Sequence, residues 1–230
     1  MKLFIAGTDT DIGKTFVSAV LALSFQKMGI NVLAQKWVST GNHDFSEDIH
    51  YIYKSLGLKE LPLAGSDASP YCFLYPCSPH LAAKLDGRVL DESVIIKATK
   101  NLSSQCELLL IEGAGGLMVP LREDLLLADL LSRLRIPTLL VAKSGLGTIN
   151  HTLLSIEALR KRDVPLLGVI FNARGKEDPV IVKDNIETIL RLSDISVYGP
   201  VPHLSSPTGF IENISHDCKR ILAQLKKIGT

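Results

Sequence analysis

The chain has almost no excess charge of either sign: 25 lysines and arginines against 24 aspartates and glutamates leave a formal +1 over 230 residues. That balance excludes the strongly basic face by which a protein gathers nucleic acid or an anionic membrane. Long hydrophobic runs are missing too; the best, such as "IPTLLVA", is strand-sized and far short of a bilayer span. The opening "MKLFIAG" is a brief apolar run that stops at Asp9 and Asp11, so it is not expected to act as a leader. Four cysteines (Cys72, Cys77, Cys106, Cys218) form no C-x-x-C pair. An approach of Cys72 to Cys77 is one reading; free thiols in a reducing cytoplasm are the expected one. No repeat, low-complexity tract or linker is present. Hydrophobic content of 46% with 21% charge fits a globular protein, and the expectation is one cytoplasmic domain over residues 1–230.

What the chain does have is alternation. Short apolar runs, "LFIAG" (3–7), "NVLAQKW" (31–37), "ELLLIEGAGG" (107–116), "PTLLVAK" (137–143), "LLGVIFN" (166–172) and "SVYGPVP" (196–202), read as strands. Between them lie helical stretches at 14–29, 46–57, 79–86, 91–103, 124–134, 147–162 and 179–192, with a last helix near 210–227. The prolines at 62, 70, 76 and 79 mark residues 62–79 as an irregular excursion. This pattern predicts an α/β fold: a mostly parallel central sheet with helices on both faces and right-handed crossovers, P-loop NTPase-like. Ligands of such sheets bind beyond the carboxyl ends of the strands, so residues just after strands are the candidates.

Five residues separate Gly7 from Gly13 in "GTDTDIGKT", where the P-loop pattern allows four. The turn still follows a strand and opens a helix. Backbone N–H groups of Asp11, Ile12, Gly13, Lys14, Thr15 and Phe16 are therefore expected to cradle phosphates. Lys14 supplies a point charge, and the Thr15 hydroxyl a ligand for Mg²⁺. Lys36 ends the second strand, read as lying beside the P-loop strand. It is either a cation aimed at the transferring phosphoryl group or a solvated strand-end charge. Glu112, after four apolar residues, takes the place of the strand-end acid that orders Mg²⁺, and Gly113, Ala114 and Gly115 let the backbone come close to a ligand. Asp48 is either a second metal ligand or a helix cap. "SGLGTINH" is either an anion site or a βα turn capped by Thr148 or Asn150. Asn172 offers an amide to an adenine edge or is an ordinary turn residue. His80 and His151 read as structural, since no Ser-His-Asp or zinc spacing accompanies them.

Taken in order, "GTDTDIGKT", "QKWVSTG", "PCSPHLAAKLDG", "IEGAGGLMVPL", "GLGTINHTLL", "GVIFN" and "GPVPHL" resemble the motifs of the dethiobiotin synthetase family across residues 4–204. The resemblance implies a homodimeric Mg²⁺-dependent ligase that joins 7,8-diaminopelargonic acid and CO₂ (or bicarbonate) at the expense of ATP. It implies nucleotide contacts by residues 11–16, Asp48, 112–115, Asn172, Pro202, His203 and Leu204, and metal ligation by Thr15, Asp48 and Glu112. It gives Thr10, Lys36 and Thr40 to the substrate, with Gly147, Thr148 and Asn150 reaching the substrate carboxylate from the partner subunit. Lys14 and Lys36 would be catalytic. Two residues depart from the family pattern: Trp37 replaces a usual proline and Thr40 a usual serine. After residue 204 the match is poor.

Partition- or nitrogenase-type switch ATPases form the main alternative, but they carry a signature lysine where this chain has Asp9. Cobyrinic-acid amide synthetases add a glutaminase domain for which 230 residues leave no room. A nucleotide-binding module without catalysis leaves Lys36 and Glu112 unexplained.

Overall fold

The computed structural model describes residues 1–173, 177–202 and 206–228. Its centre is a six-stranded parallel sheet built from β1 (Lys2–Gly7), β2 (Val32–Lys36), β5 (Leu108–Glu112), β8 (Thr138–Lys143), β9 (Leu166–Asn172) and β10 (Val197–Val201). The order across the sheet is β10-β9-β8-β1-β5-β2. These strands are continuous apolar runs because helices cover the sheet: α1 (Lys14–Lys27), α2 (Glu47–Ser55), α3 (Pro79–Leu85), α4 (Glu92–Ser103), α5 (Leu127–Leu134), α6 (Thr148–Arg160), α7 (Pro179–Ser193) and α8 (Ser215–Ile228). Helix α1 is buried almost all round, from Val17 through Phe25. It packs against α2, α8 and the strands β1, β2 and β5, which is why its sequence lacks the one-sided apolar stripe of a surface helix.

The predicted fold class is the one observed, with four corrections. First, β2 does not lie beside the P-loop strand β1; β5 stands between them and β2 is the sheet edge. The apolar patterns of two buried parallel strands carry no information about which is the neighbour. Second, the 62–79 excursion contains a strand, β4 (Tyr71–Phe73), which pairs in parallel with β3 (Val38–Thr40). Three-residue strands are too short for alternation to reveal. Third, the helix expected over 124–134 begins at Leu127, because Leu125–Leu126 (β7) folds back on Pro120–Arg122 (β6) as a small hairpin. Fourth, the last helix begins at Ser215, after a 3₁₀ turn over Pro207–Phe210.

All four cysteines are free thiols, as expected; the Cys72 Sγ lies 3.0 Å from the Ser69 hydroxyl. Among the described residues, no helix is long and apolar enough to cross a membrane.

Candidate active site

The cleft opens where β1, β2 and β5 end. Gly13 adopts φ +88 and stands at the N-terminus of α1, a left-handed conformation that suits glycine. Space enforces the same choice, since a Cβ there would sit 2.1 Å from Asn172 Nδ2. Gly7 makes room for the lysine: a Cβ there would lie 2.8 Å from Lys14 Cδ, so the side chain folded back over the turn would have to move. Its Nζ donates to the Asp9 carbonyl at 2.9 Å. The fifth intervening residue therefore lengthens the turn without displacing the lysine from it.

Lys14 is 7% exposed. Burial, followed by the charge of Lys36, pulls its ammonium down to about 8, against the opposing pull of Glu112, Asp48 and Asp11.

Next to the turn lies a charged cluster assembled by strand register. The β2–β5 pairing sets Lys36 directly opposite Glu112. Lys36 Nζ lies 2.8 Å from Glu112 Oε1 and 2.7 Å from Asp48 Oδ2. Burial opposes the Lys36 charge, but the two carboxylates outweigh it and hold the ammonium above its ordinary range. Burial likewise pushes Asp48 up, and the Lys36 ammonium, the Thr15 hydroxyl and Lys14 more than reverse it, leaving the carboxyl below its usual value. Thr15 Oγ1 lies 2.6 Å from Asp48 Oδ1 and 3.1 Å from Glu112 Oε1. Asp48 is not the helix cap. That position belongs to Ser46, whose Oγ accepts from Ile49 N and contacts the buried Ser39 hydroxyl at 2.7 Å. The Asp48 side chain is thus free to face the cleft.

These groups surround a cavity of about 550 Å³ lined by Thr10, Gly13, Lys14, Thr15, Lys36 and Glu112, among others. A second cavity of about 540 Å³ shares Thr10, Thr40, Ala114 and Gly115 with it and continues toward Pro76 and Cys77. The glycine turn, the lysines and the carboxylates thus open onto one space that continues into the second cavity. The Thr15 hydroxyl lies within hydrogen-bond distance of both the Asp48 and the Glu112 carboxylate, a set of hard oxygen donors that suits Mg²⁺ retaining waters and phosphate oxygens. Among the described residues, no group of three or more His, Cys, Asp or Glu side chains gathers as for a metal held by protein alone.

Other candidates stand elsewhere. Phe16 is half-buried on α1 beyond the turn. Asn172 turns its Nδ2 to the Ile12 carbonyl at 2.8 Å, so the amide braces the phosphate turn. Gly147, not Thr148 or Asn150, is the N-cap of α6, and Thr148 Oγ1 instead meets Thr152 Oγ1 at 3.3 Å. None of Gly147, Thr148 and Asn150 lines either cavity of the cleft in its own chain. Pro202 follows β10 outside the cleft, and His203 and Leu204 lie outside the described residues. His151 is exposed on α6, and His80 is half-buried on α3 with its Nδ1 unpartnered.

Two contributors escaped the sequence reading. Ser18 Oγ, buried on α1, donates to Glu112 Oε2 at 3.2 Å and holds the carboxylate oxygen that Lys36 leaves. Asn185 on α7 donates to the carbonyls of Ser144 and Gly145 and so braces the glycine loop before α6. Ser18 stands one helical turn after Lys14 and was open to a periodicity argument; Asn185 carried no local signal.

Comparison with known proteins places this geometry. A family model described as an AAA domain matches residues 1–209. The ATP-dependent dethiobiotin synthetase BioD of Halalkalibacterium halodurans is 42% identical over 204 residues, covering 88% of this chain and 84% of that protein. That of Chlorobaculum tepidum is 39% identical over 222 residues, 96% and 92% of the two chains. BioD 2 of Haemophilus influenzae is 40% identical over 183 residues, 79% and 95%. Among solved structures, pNOB8 ParA bound to nonspecific DNA superposes with a TM-score of 0.62 at 16% identity, over 98% of each chain. The MinC:MinD cell division protein complex of Aquifex aeolicus gives 0.59 at 15%, over 98% and 95%. At that identity the likeness speaks for the fold alone. The chain belongs to the dethiobiotin synthetase family.

Proposed function

We propose that this member of the dethiobiotin synthetase family works as one ATP-dependent ligase unit in the cytoplasm, converting 7,8-diaminopelargonic acid, CO₂ and ATP into dethiobiotin, ADP and phosphate. The observation that carries the reading is the convergence of Lys14, Lys36, Asp48 and Glu112 on one cleft beside the phosphate turn. One amine of the substrate adds to CO₂ and loses a proton, giving a carbamate. A carbamate oxygen attacks the γ-phosphorus, ADP leaves, and the second amine then attacks the anhydride carbonyl and expels phosphate. The reacting groups are anionic, so they need cations more than a strong base. Lys36 is assigned to the carbamate and the γ-phosphate, and Lys14 to the nucleotide phosphates. Proximity supplies much of ring closure, since both amines sit on one molecule, and the attacking amine gives up a proton as phosphate leaves.

Mg²⁺ held by Thr15, Asp48 and Glu112 would neutralise charge on the phosphate oxygens. The residues of the chain set the stage for it: Ser18 orients Glu112, and the Ser39–Ser46 contact places the helix that carries Asp48. Thr10 and Thr40, on the walls shared by both cavities, are assigned to the diamine, and Gly113–Gly115 let the backbone approach the ligand. Asn172, with Pro202, His203 and Leu204, is assigned to the base. Gly147, Thr148 and Asn150 are assigned to the substrate carboxylate in the neighbouring cleft of a homodimer. Their absence from the cleft of their own chain supports that placement, as do the exposed Met118, Leu146 and Leu154 on the α6 side. The deciding assay is phosphate release from ATP with diamine and bicarbonate supplied together and separately. Release only with both is expected; brisk ATPase indifferent to the diamine but stimulated by DNA or lipid would overturn the reading in favour of a switch ATPase.

A further inference from the structure

A buried polar cluster that the reaction does not use lies under the second strand. Gln35 and Trp37 flank Lys36 in sequence and turn away from the cleft, as neighbours along an extended chain must. Both meet Thr99 of α4. Trp37 Nε1 lies 3.2 Å from Gln35 Oε1 and 3.1 Å from Thr99 Oγ1. Thr99 Oγ1 in turn lies 2.8 Å from Gln35 Oε1 and 2.8 Å from the Ile95 carbonyl. Gln35 Nε2 donates to the Asp67 carbonyl at 2.7 Å. The three side chains are 0–4% exposed. The Trp37 ring also packs on Phe4 of β1, with centroids 4.8 Å apart.

Polar groups at this depth cost free energy unless paired, and apolar side chains would fill the space more cheaply. What distinguishes the place is the strand it holds. β2 is the sheet edge, so β5 supports it on one side only. On the outer side the main chain is tied at Lys36 N, which donates to the Ala68 carbonyl at 2.9 Å, beside the Gln35–Asp67 bond. We propose that Gln35, Trp37 and Thr99 form a positioning network that fixes the Lys36 backbone from the side opposite the cleft, so that its ammonium stays between Asp48 and Glu112. The network rests on the catalytic reading of Lys36 given above. It is assigned no contact with substrate; it acts through Lys36.

The test is a double-mutant cycle on diamine- and bicarbonate-dependent phosphate release, with Thr99→Val and Gln35→Met each made in the native chain and in Lys36→Ala. In the native background Thr99→Val lowers kcat roughly 10- to 100-fold, the penalty of a misplaced catalytic group. KM for ATP stays unchanged, because the phosphate turn lies on β1 and α1, and Thr99→Ser restores the rate. In the Lys36→Ala background the same substitutions change kcat by no more than about twofold, since the group they position is gone. Emission of the only tryptophan reports at each step whether Trp37 remains buried, and Thr99→Val, nearly isosteric, keeps the cycle readable if Gln35→Met fails to fold. Equal losses in both backgrounds, or a kcat untouched by Thr99→Val in the native chain, overturn the network while leaving the reading of the cleft intact. A native kcat in Lys36→Ala itself overturns that reading, and the network's role with it.

Discussion

Lys36 Nζ sits 2.8 Å from Glu112 Oε1, and the two residues, 76 positions apart in the chain, are direct partners in the β2–β5 register. The pair is buried on both sides, with Lys36 5% and Glu112 2% exposed. Such a pair is costly to assemble and contributes little net stability compared with apolar packing, so its presence at the mouth of a phosphate turn points to chemistry.

Removing the cation should therefore cost rate. Lys36→Ala is expected to lower kcat by roughly 10²–10³, the usual penalty for one missing electrostatic donor. Folding should persist, which thermal melting checks, and ATP binding measured by calorimetry should change little because Lys14 is retained.

Lys14 gives a pH dependence of definite sign. Its folded-state value of about 8 lies below the ordinary lysine value of 10.5. The folded protein thus binds fewer protons than the unfolded one between those pH values, and the stability lost by burying the charge is regained as pH rises through this window. Nucleotide phosphates favour the charged ammonium, so ATP binding near pH 8 should take up protons and weaken as pH rises further. Titration calorimetry at pH 8 in two buffers of different ionisation enthalpy measures the uptake directly; Lys14→Met should abolish it.

Asn172 donates one Nδ2 hydrogen to the Ile12 carbonyl, which leaves its Oδ1 and its second Nδ2 hydrogen as the groups it could offer a base. Contact through the second Nδ2 hydrogen would reverse the preference that contact through Oδ1 sets. If Asn172 meets the base as assigned and does so through Oδ1, it should accept from an exocyclic amino group and repel a keto oxygen. ATP and CTP are then expected to support turnover better than GTP and UTP by roughly 10-fold or more, the scale of one hydrogen bond left unmade. Rates with the four nucleotides in parallel decide it.

At Gly13, φ is +88 and Asn172 Nδ2 occupies the space a Cβ would need. Gly13→Ala should destabilise the turn by about 1–2 kcal/mol from the left-handed backbone alone, with the clash added. ATP binding should fall sharply while the far side of the sheet keeps its hydrogen-exchange protection.

Ser18→Ala should cost about 1 kcal/mol of stability, typical of one buried hydrogen bond. The freed Glu112 oxygen should raise the Mg²⁺ concentration needed for half-maximal ATP binding, read by calorimetry across a magnesium series, with Ser18→Thr less affected.

The alternation of apolar runs and helices, the phosphate turn from Gly7 to Thr15, and the placing of Lys36 and Glu112 at strand ends were legible in the sequence. Each is written in local order: burial sets the apolar runs, glycine marks the turn, and a charge after such a run marks the strand end. Tertiary structure decided the rest. That β5 separates β1 from β2, that Asp48 faces Lys36 and leaves the cap to Ser46, that Asn172 braces Ile12 across 160 positions, and that Gln35, Trp37 and Thr99 close a network behind Lys36 all depend on pairings between distant segments. A buried strand satisfies its hydrogen bonds with whichever neighbour the packing of the whole chain supplies, and no local pattern names that neighbour.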